Sequence, residues 1–87
     1  MLIILHAVSF DKRFGALSKK LKRKTLERLA VFMADEYAEI LNNHPLHGEY
    51  AGCRSINVTG DWRLVYEKIG SDTCRLLDIG THGQLYE

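Results

Sequence analysis

The chain has 87 residues, 46% hydrophobic and 26% charged, with a net charge of +1. This is the make-up of an ordinary folded protein, and the length leaves room for one core only. No run approaches the roughly 20 apolar residues that cross a bilayer. Two cysteines, Cys53 and Cys74, do not make a disulfide framework and read equally well as small buried hydrophobes. A single domain over 1–87 is therefore expected, in the cytoplasm and without membrane association. Its stability should be ~4–13 kcal/mol, a margin that a tight partner would enlarge by mass action.

The low net charge hides a polarised molecule. Between Lys12 and Arg28 lie eight Lys and Arg residues against one acid, Glu27, a local +7, so the remaining residues sum to −6. Such a run is either a solvated helix face or an electrostatic footprint for nucleic acid, acting through counterion release.

The opening Met1-Leu2-Ile3-Ile4-Leu5 is apolar, short, and has neither preceding positive residues nor a small-residue cleavage site. It predicts a strand over 2–8 rather than a signal peptide. Ser9 then suits a helix N-cap, with Asp11 in the first turn. Phe10, Phe14, Leu17 and Leu21 recur with helical spacing, which predicts a first helix closed by the basic cluster 19–24 and weakened in its middle by Gly15. A second helix is predicted from about Thr25 to Leu41, with Leu26, Leu29, Ala30, Met33, Tyr37 and Ile40 on one side. Asn42-Asn43-His44-Pro45 stops it, since Asn favours turns and proline disfavours helical geometry in the residue before it.

Strands are predicted over 53–58, 62–69 and 73–79, joined by Thr59-Gly60-Asp61 and Gly70-Ser71-Asp72. Loops this short make successive strands antiparallel neighbours. The result is an α+β domain of order β-α-α-β-β-β, a helical hairpin packed on a small antiparallel sheet.

Residues capable of chemistry collect at the joints of that sheet: His44, His47, Arg54, Asn57, Asp61, Trp62, Thr81, His82 and Tyr86. Asn57 lies on the opposite strand face from Ile56 and Val58, whereas Arg54 shares their parity. Antiparallel pairing brings strand ends together, so residues distant in sequence can share one cleft. His44 and His47 span a proline with no third ligand at a recognisable spacing, so no metal site is expected there. His6 and His47 read as structural.

In order and spacing, His44-Pro45-Leu46, Gly48, Gly52-Cys53-Arg54, Asp61-Trp62-Arg63-Leu64-Val65-Tyr66, Ile79-Gly80-Thr81-His82 and Leu85-Tyr86 resemble the YafQ branch of the RelE superfamily. These motifs span about half of the chain, and the strand and helical hairpin before them are similar to the RelE-type layout. The resemblance implies a toxin of a type II toxin-antitoxin system: an endoribonuclease cutting messenger RNA, usually on the ribosome, held inactive by a cognate antitoxin, with no cofactor. Carried over by position, it implies His44, Asp61 and His82 as acid/base residues, Arg54 as the phosphate-binding residue, and Trp62 and Tyr86 as aromatic site positions. Asn57 stands where the family pattern has histidine; it can hydrogen-bond substrate but cannot shuttle a proton.

The chemistry suits these residue types. RNA cleavage without metal needs a base for the 2′-hydroxyl proton, an acid for the departing 5′-oxygen, and positive charge on the phosphate. Histidine performs either proton transfer near neutrality, arginine holds phosphate with a planar fork, and aromatics stack on unpaired bases. Other readings stay open: an inward ion-pair role for Arg54, simple turn chemistry for Asp61, and a core position for Trp62. Two further functions also stay open, a ParE-like gyrase inhibitor acting by protein contact and a weakly catalytic homologue that mainly binds its antitoxin.

Overall fold

A computed structural model describes residues 2–86; Met1, the first residue of the apolar opening, lies outside them. The chain forms β1 (Ile3–His6), α1 (Val8–Gly15), α2 (Lys19–Ala34), a 3-10 turn (Glu39–Leu41), β2 (His44–Pro45), a second 3-10 turn (Gly48–Tyr50), β3 (Cys53–Thr59), β4 (Trp62–Lys68), β5 (Thr73–Thr81) and α3 (His82–Tyr86). This is the expected α+β architecture, enlarged by the two-residue β2 and the short α3. The strand order is β1-β5-β4-β3-β2. The tight turns make β3, β4 and β5 an antiparallel meander, while β1 adds in parallel beside β5, so the sheet is mixed.

The helix boundaries differ from the periodicity reading. Ser9 is not a cap: α1 begins after Ala7, and the Ser9 hydroxyl donates to Leu77 O at 2.6 Å. α1 ends at Gly15, and Ser18 opens a new helix, its Oγ accepting from Leu21 N at 3.2 Å. The basic cluster therefore starts α2 rather than closing α1. The buried stripe of α2 is correspondingly shifted to Thr25 and Phe32, with Leu21 and Leu29 partly covered, whereas Leu26, Met33, Tyr37 and Ile40 are exposed. Spacing alone permitted either stripe, and the cap at Ser18 together with contact to the sheet decides between them. α2 also ends earlier than expected, at Ala34, with Asp35 already extended. Asn42, in the left-handed region at φ 45° that Asn tolerates, ends only the 3-10 turn Glu39–Leu41.

One face of the sheet carries the main core. Phe10 and Phe32 pack on Ile56, Val58, Leu64, Tyr66, Cys74, Leu76 and Ile79. Phe32 meets Tyr66 edge to face, with centroids 4.7 Å apart, a favoured aromatic geometry. Two register shifts tune which side chains face this core. Val58 is extra between the Asn57–Arg63 and Thr59–Trp62 pairs, and its carbonyl accepts from Arg28 Nε at 2.9 Å. Leu77 is extra between Leu76–Tyr66 and Asp78–Val65. A bulge of this kind flips the alternation, so Ile79 returns to the core while Asp78 and Gly80 turn to the other face with Val65 and Arg63.

Candidate active site

The face away from the helical pair is where the polar residues gather. β2 bridges to Ser55 through His44, and α3 leaves the end of β5 with His82 at its start. Asn42, His44, Pro45, Leu46, His47, Arg63, His82 and Tyr86 line one open cleft of about 410 Å³. Residues 38 positions apart, His44 and His82, thus share a surface because β2 and β5 lie on either side of the β3–β4 hairpin.

His44 Nδ1 lies 2.8 Å from Asn42 O. A carbonyl only accepts, so Nδ1 carries the proton, and the neutral ring presents an unprotonated Nε2. The left-handed turn at Asn42 aims that carbonyl. His82 is exposed, its backbone N–H donates to Asp61 O at 3.0 Å, and its ring meets Tyr86 edge-on at 4.8 Å. The Tyr86 hydroxyl donates to Ser55 Oγ at 3.1 Å, and Tyr50 meets the same ring edge-on at 6.1 Å. These contacts fix the aromatic wall of the cleft.

Arg63 is the residue that motif comparison had not assigned a role. Its Nη1 donates to Gly60 O at 2.8 Å and to Trp62 O at 3.0 Å. Its Nε and Nη2 have no partner among the described residues, so the guanidinium is anchored at one corner and open at the others. Its signal was present in strand parity: Arg63 pairs with Asn57, on the face opposite Leu64 and Tyr66.

Arg54, expected to bind phosphate, is not among the residues that line this cleft. It faces the helical side, with Nε donating to Asn43 Oδ1 at 2.7 Å and the guanidinium 5.4 Å from the Tyr37 ring centre. Asn43 Nδ2 donates in turn to Tyr66 Oη and to Glu36 O, and Tyr66 and Lys68 both donate to the Glu36 carboxylate. Burial alone would push the Glu36 carboxyl up, but the hydrogen bonds from Lys68 and Tyr66 outweigh it and hold the group below its usual range. Burial pushes the Tyr66 phenol well above its ordinary value. Arg54 closes this structural network.

The other expected residues divide. Asp61 is an exposed turn residue whose backbone carbonyl accepts from His82 N. Trp62 packs partly buried against the main core. Asn57 lies on the cleft side of β3, and its Oδ1 is buried with no hydrogen-bond partner among the described residues. His47 lines the cleft edge, while His6 is occupied 2.7 Å from Asp11. Among the described residues, no three His, Cys, Asp or Glu side chains form a metal-holding group, and no helix is long and apolar enough to cross a membrane.

Comparison with solved structures places this geometry. The chain is similar over its full length to YafQ from E. coli strain BL21(DE3), with TM-score 0.81, 21% identity and all of that chain covered. It is also similar to the toxin of the E. coli DinJ-YafQ toxin-antitoxin complex, with TM-score 0.75, 25% identity, and 99% of this chain and 98% of that one covered. A YoeB/ParE toxin from Agrobacterium tumefaciens matches at TM-score 0.76 and 20% identity over 94% of this chain and 99% of that one. No curated protein matches. The family model for the bacterial toxin of type II toxin-antitoxin systems, YafQ, matches residues 6–87, and the chain belongs to this toxin family.

Proposed function

We propose that the chain is an endoribonuclease that cuts messenger RNA on the translating ribosome, by acid-base chemistry without metal. The observation that carries this is the shared cleft of His44, Arg63 and His82. It supplies two proton-transfer groups and one open cationic fork, the set that phosphodiester cleavage requires.

His44 Nε2 takes the proton of the 2′-hydroxyl, because its other nitrogen is already committed to Asn42 O. The 2′-oxygen forms its bond to phosphorus while the free donors of Arg63 stabilise the added negative charge. His82 gives its proton to the departing 5′-oxygen as the P–O5′ bond breaks. The products are a 2′,3′-cyclic phosphate and a 5′-hydroxyl, and the two histidines exchange protonation states. This ordering takes the base role for His44 and leaves Asp61 as electrostatic support on the turn that tethers His82. Tyr86 contacts an RNA base from the cleft wall, Trp62 supports the site from the core, and Asn57 offers a hydrogen bond to substrate.

The family and the antitoxin complex formed by its E. coli relative support a cognate antitoxin as the regulating partner here. The exposed Ile3, Leu5, Leu26 and Met33 offer apolar surface for it. Dependence on ribosomes places the activity in the cytoplasm.

The test is cell-free translation with the purified protein and mapping of 5′ ends on the message. Cuts are expected with the native chain, and His82→Gln should lower the rate about 10²–10⁴-fold while remaining folded by circular dichroism. A parallel supercoiling assay addresses gyrase inhibition: intact message with stalled gyrase would sink the nuclease reading.

A further inference from the structure

Gly80 is the register partner of Arg63 across β4 and β5. Directly opposed residues of antiparallel strands point to the same face, with Cα atoms about 4.5–5.5 Å apart. A side chain at position 80 would therefore stand beside Arg63. That space is already taken: a Cβ on Gly80 would come to 3.0 Å from Gln84 Oε1 and 3.2 Å from Arg13 Nη1. The guanidinium of Arg13, from the last turn of α1, reaches over β5 to the strand position next to Arg63. Gly80 lacks a side chain at the point where one would displace it.

The carboxylate nearest to Arg13 does not saturate it. Arg13 Nε lies 3.6 Å from Asp78 Oδ1, an ion pair but beyond hydrogen-bond length. That oxygen already accepts from Ile79 N at 2.8 Å, and Oδ2 faces Tyr50 Oη at 3.4 Å. The Arg13 nitrogens make no hydrogen bond among the described residues, and the side chain is 43% exposed. A weakly held, accessible guanidinium thus lies over the strand position paired with Arg63.

We infer that Arg13 is a second phosphate-binding residue, holding the backbone phosphate next to the one cleaved and so positioning single-stranded RNA in the cleft. This rests on the RNA-cleaving reading of the same site. Gly80 acts with it by leaving the path open, and Asp78 steers the guanidinium without occupying its donors.

The test is binding of a fluorescent single-stranded RNA, made uncleavable by 2′-O-methyl riboses, measured by anisotropy across a salt series. Each phosphate contact on a single strand contributes about 0.7 to the slope of log affinity against log salt. Arg13→Gln should lower the slope by about that amount, Arg63→Gln should do the same, and Arg13→Lys should retain it. Gly80→Ala should produce part of the loss, and adding it to Arg13→Gln should change nothing further, since both remove one interaction. A purely structural Arg13–Asp78 pair would instead lower the melting temperature and leave the slope alone, and that result overturns the inference. An unchanged slope in Arg13→Gln beside a reduced one in Arg63→Gln overturns it while leaving the cleavage reading intact. Native protein that fails to bind this RNA also overturns it, and the cleavage reading is then judged separately by the mapped ends on the message.

Discussion

Arginines 54 and 63 stand nine residues apart on paired strands, and one residue of parity separates their surroundings. Arg54 satisfies Asn43 and lies by Tyr37; Arg63 hangs from two turn carbonyls with donors to spare. Arg54→Ala should therefore cost about 1–3 kcal/mol of stability, by leaving a half-buried acceptor unpaired, with cleavage by the folded fraction unchanged. Arg63→Gln should show the reverse, near-native unfolding in urea and a cleavage rate lower by about 10²-fold. Equal effects of the two on cleavage would contradict this division. Asn57 poses a separate question, since its amide cannot carry a proton and its Oδ1 is unpartnered. If proton transfer at that position limits the rate, Asn57→His should speed cleavage at least several-fold; an unchanged rate would show that His44 and His82 suffice. Motifs in the sequence singled out His44, Asn57 and His82, but which arginine joined them depended on strand parity and on which sheet face the helices cover.

At the scale of the element, α2 is built against its own electrostatics. Its first turns carry Lys19, Lys20, Lys22, Arg23 and Lys24 and no acid, although the helix N-terminus is the positive end of the dipole. Ser18 offsets part of that cost as the cap. Replacing Lys19 and Lys20 with Glu should thus stabilise the fold by about 0.3–1 kcal/mol per residue, read as a higher unfolding midpoint. If the cluster serves ribosomal RNA, the same change should weaken ribosome association, most strongly at low salt. More stability with unaltered association would mark the cluster as a solvated face. The helix boundary itself was not legible from periodicity, because Leu21 continues both the Phe10–Phe14–Leu17 pattern and the one that follows. Ser18 was the local signal that separates them.

For the molecule as a whole, the Glu36 network ties the segment after α2 to β3 and β4 through Asn43, Arg54, Tyr66 and Lys68. The Glu36 carboxyl is held below its usual range, so its contribution to stability is present above the ordinary carboxylate pKa of ~4.3 and is lost as pH falls through the depressed folded value. Glu36→Gln should be less stable than the native chain at neutral pH, and the two should converge in acid. A constant difference across the acid limb of a denaturation series would refute that linkage.

What the sequence determined by itself was set by local physics. Alternation and tight turns specified the three-strand meander, and ordered motifs marked the two histidines and the family. The tertiary structure decided the rest. β1 pairs in parallel with residues 70 positions later in β5, a choice that only long-range hydrogen bonding and burial resolve. The bulges at Val58 and Leu77 reset which side chains face the core, and the local alternation does not announce such resets. The Leu77 bulge carries Asp78 and Gly80 to the cleft side, where Arg13 lies over Gly80, the strand partner of Arg63.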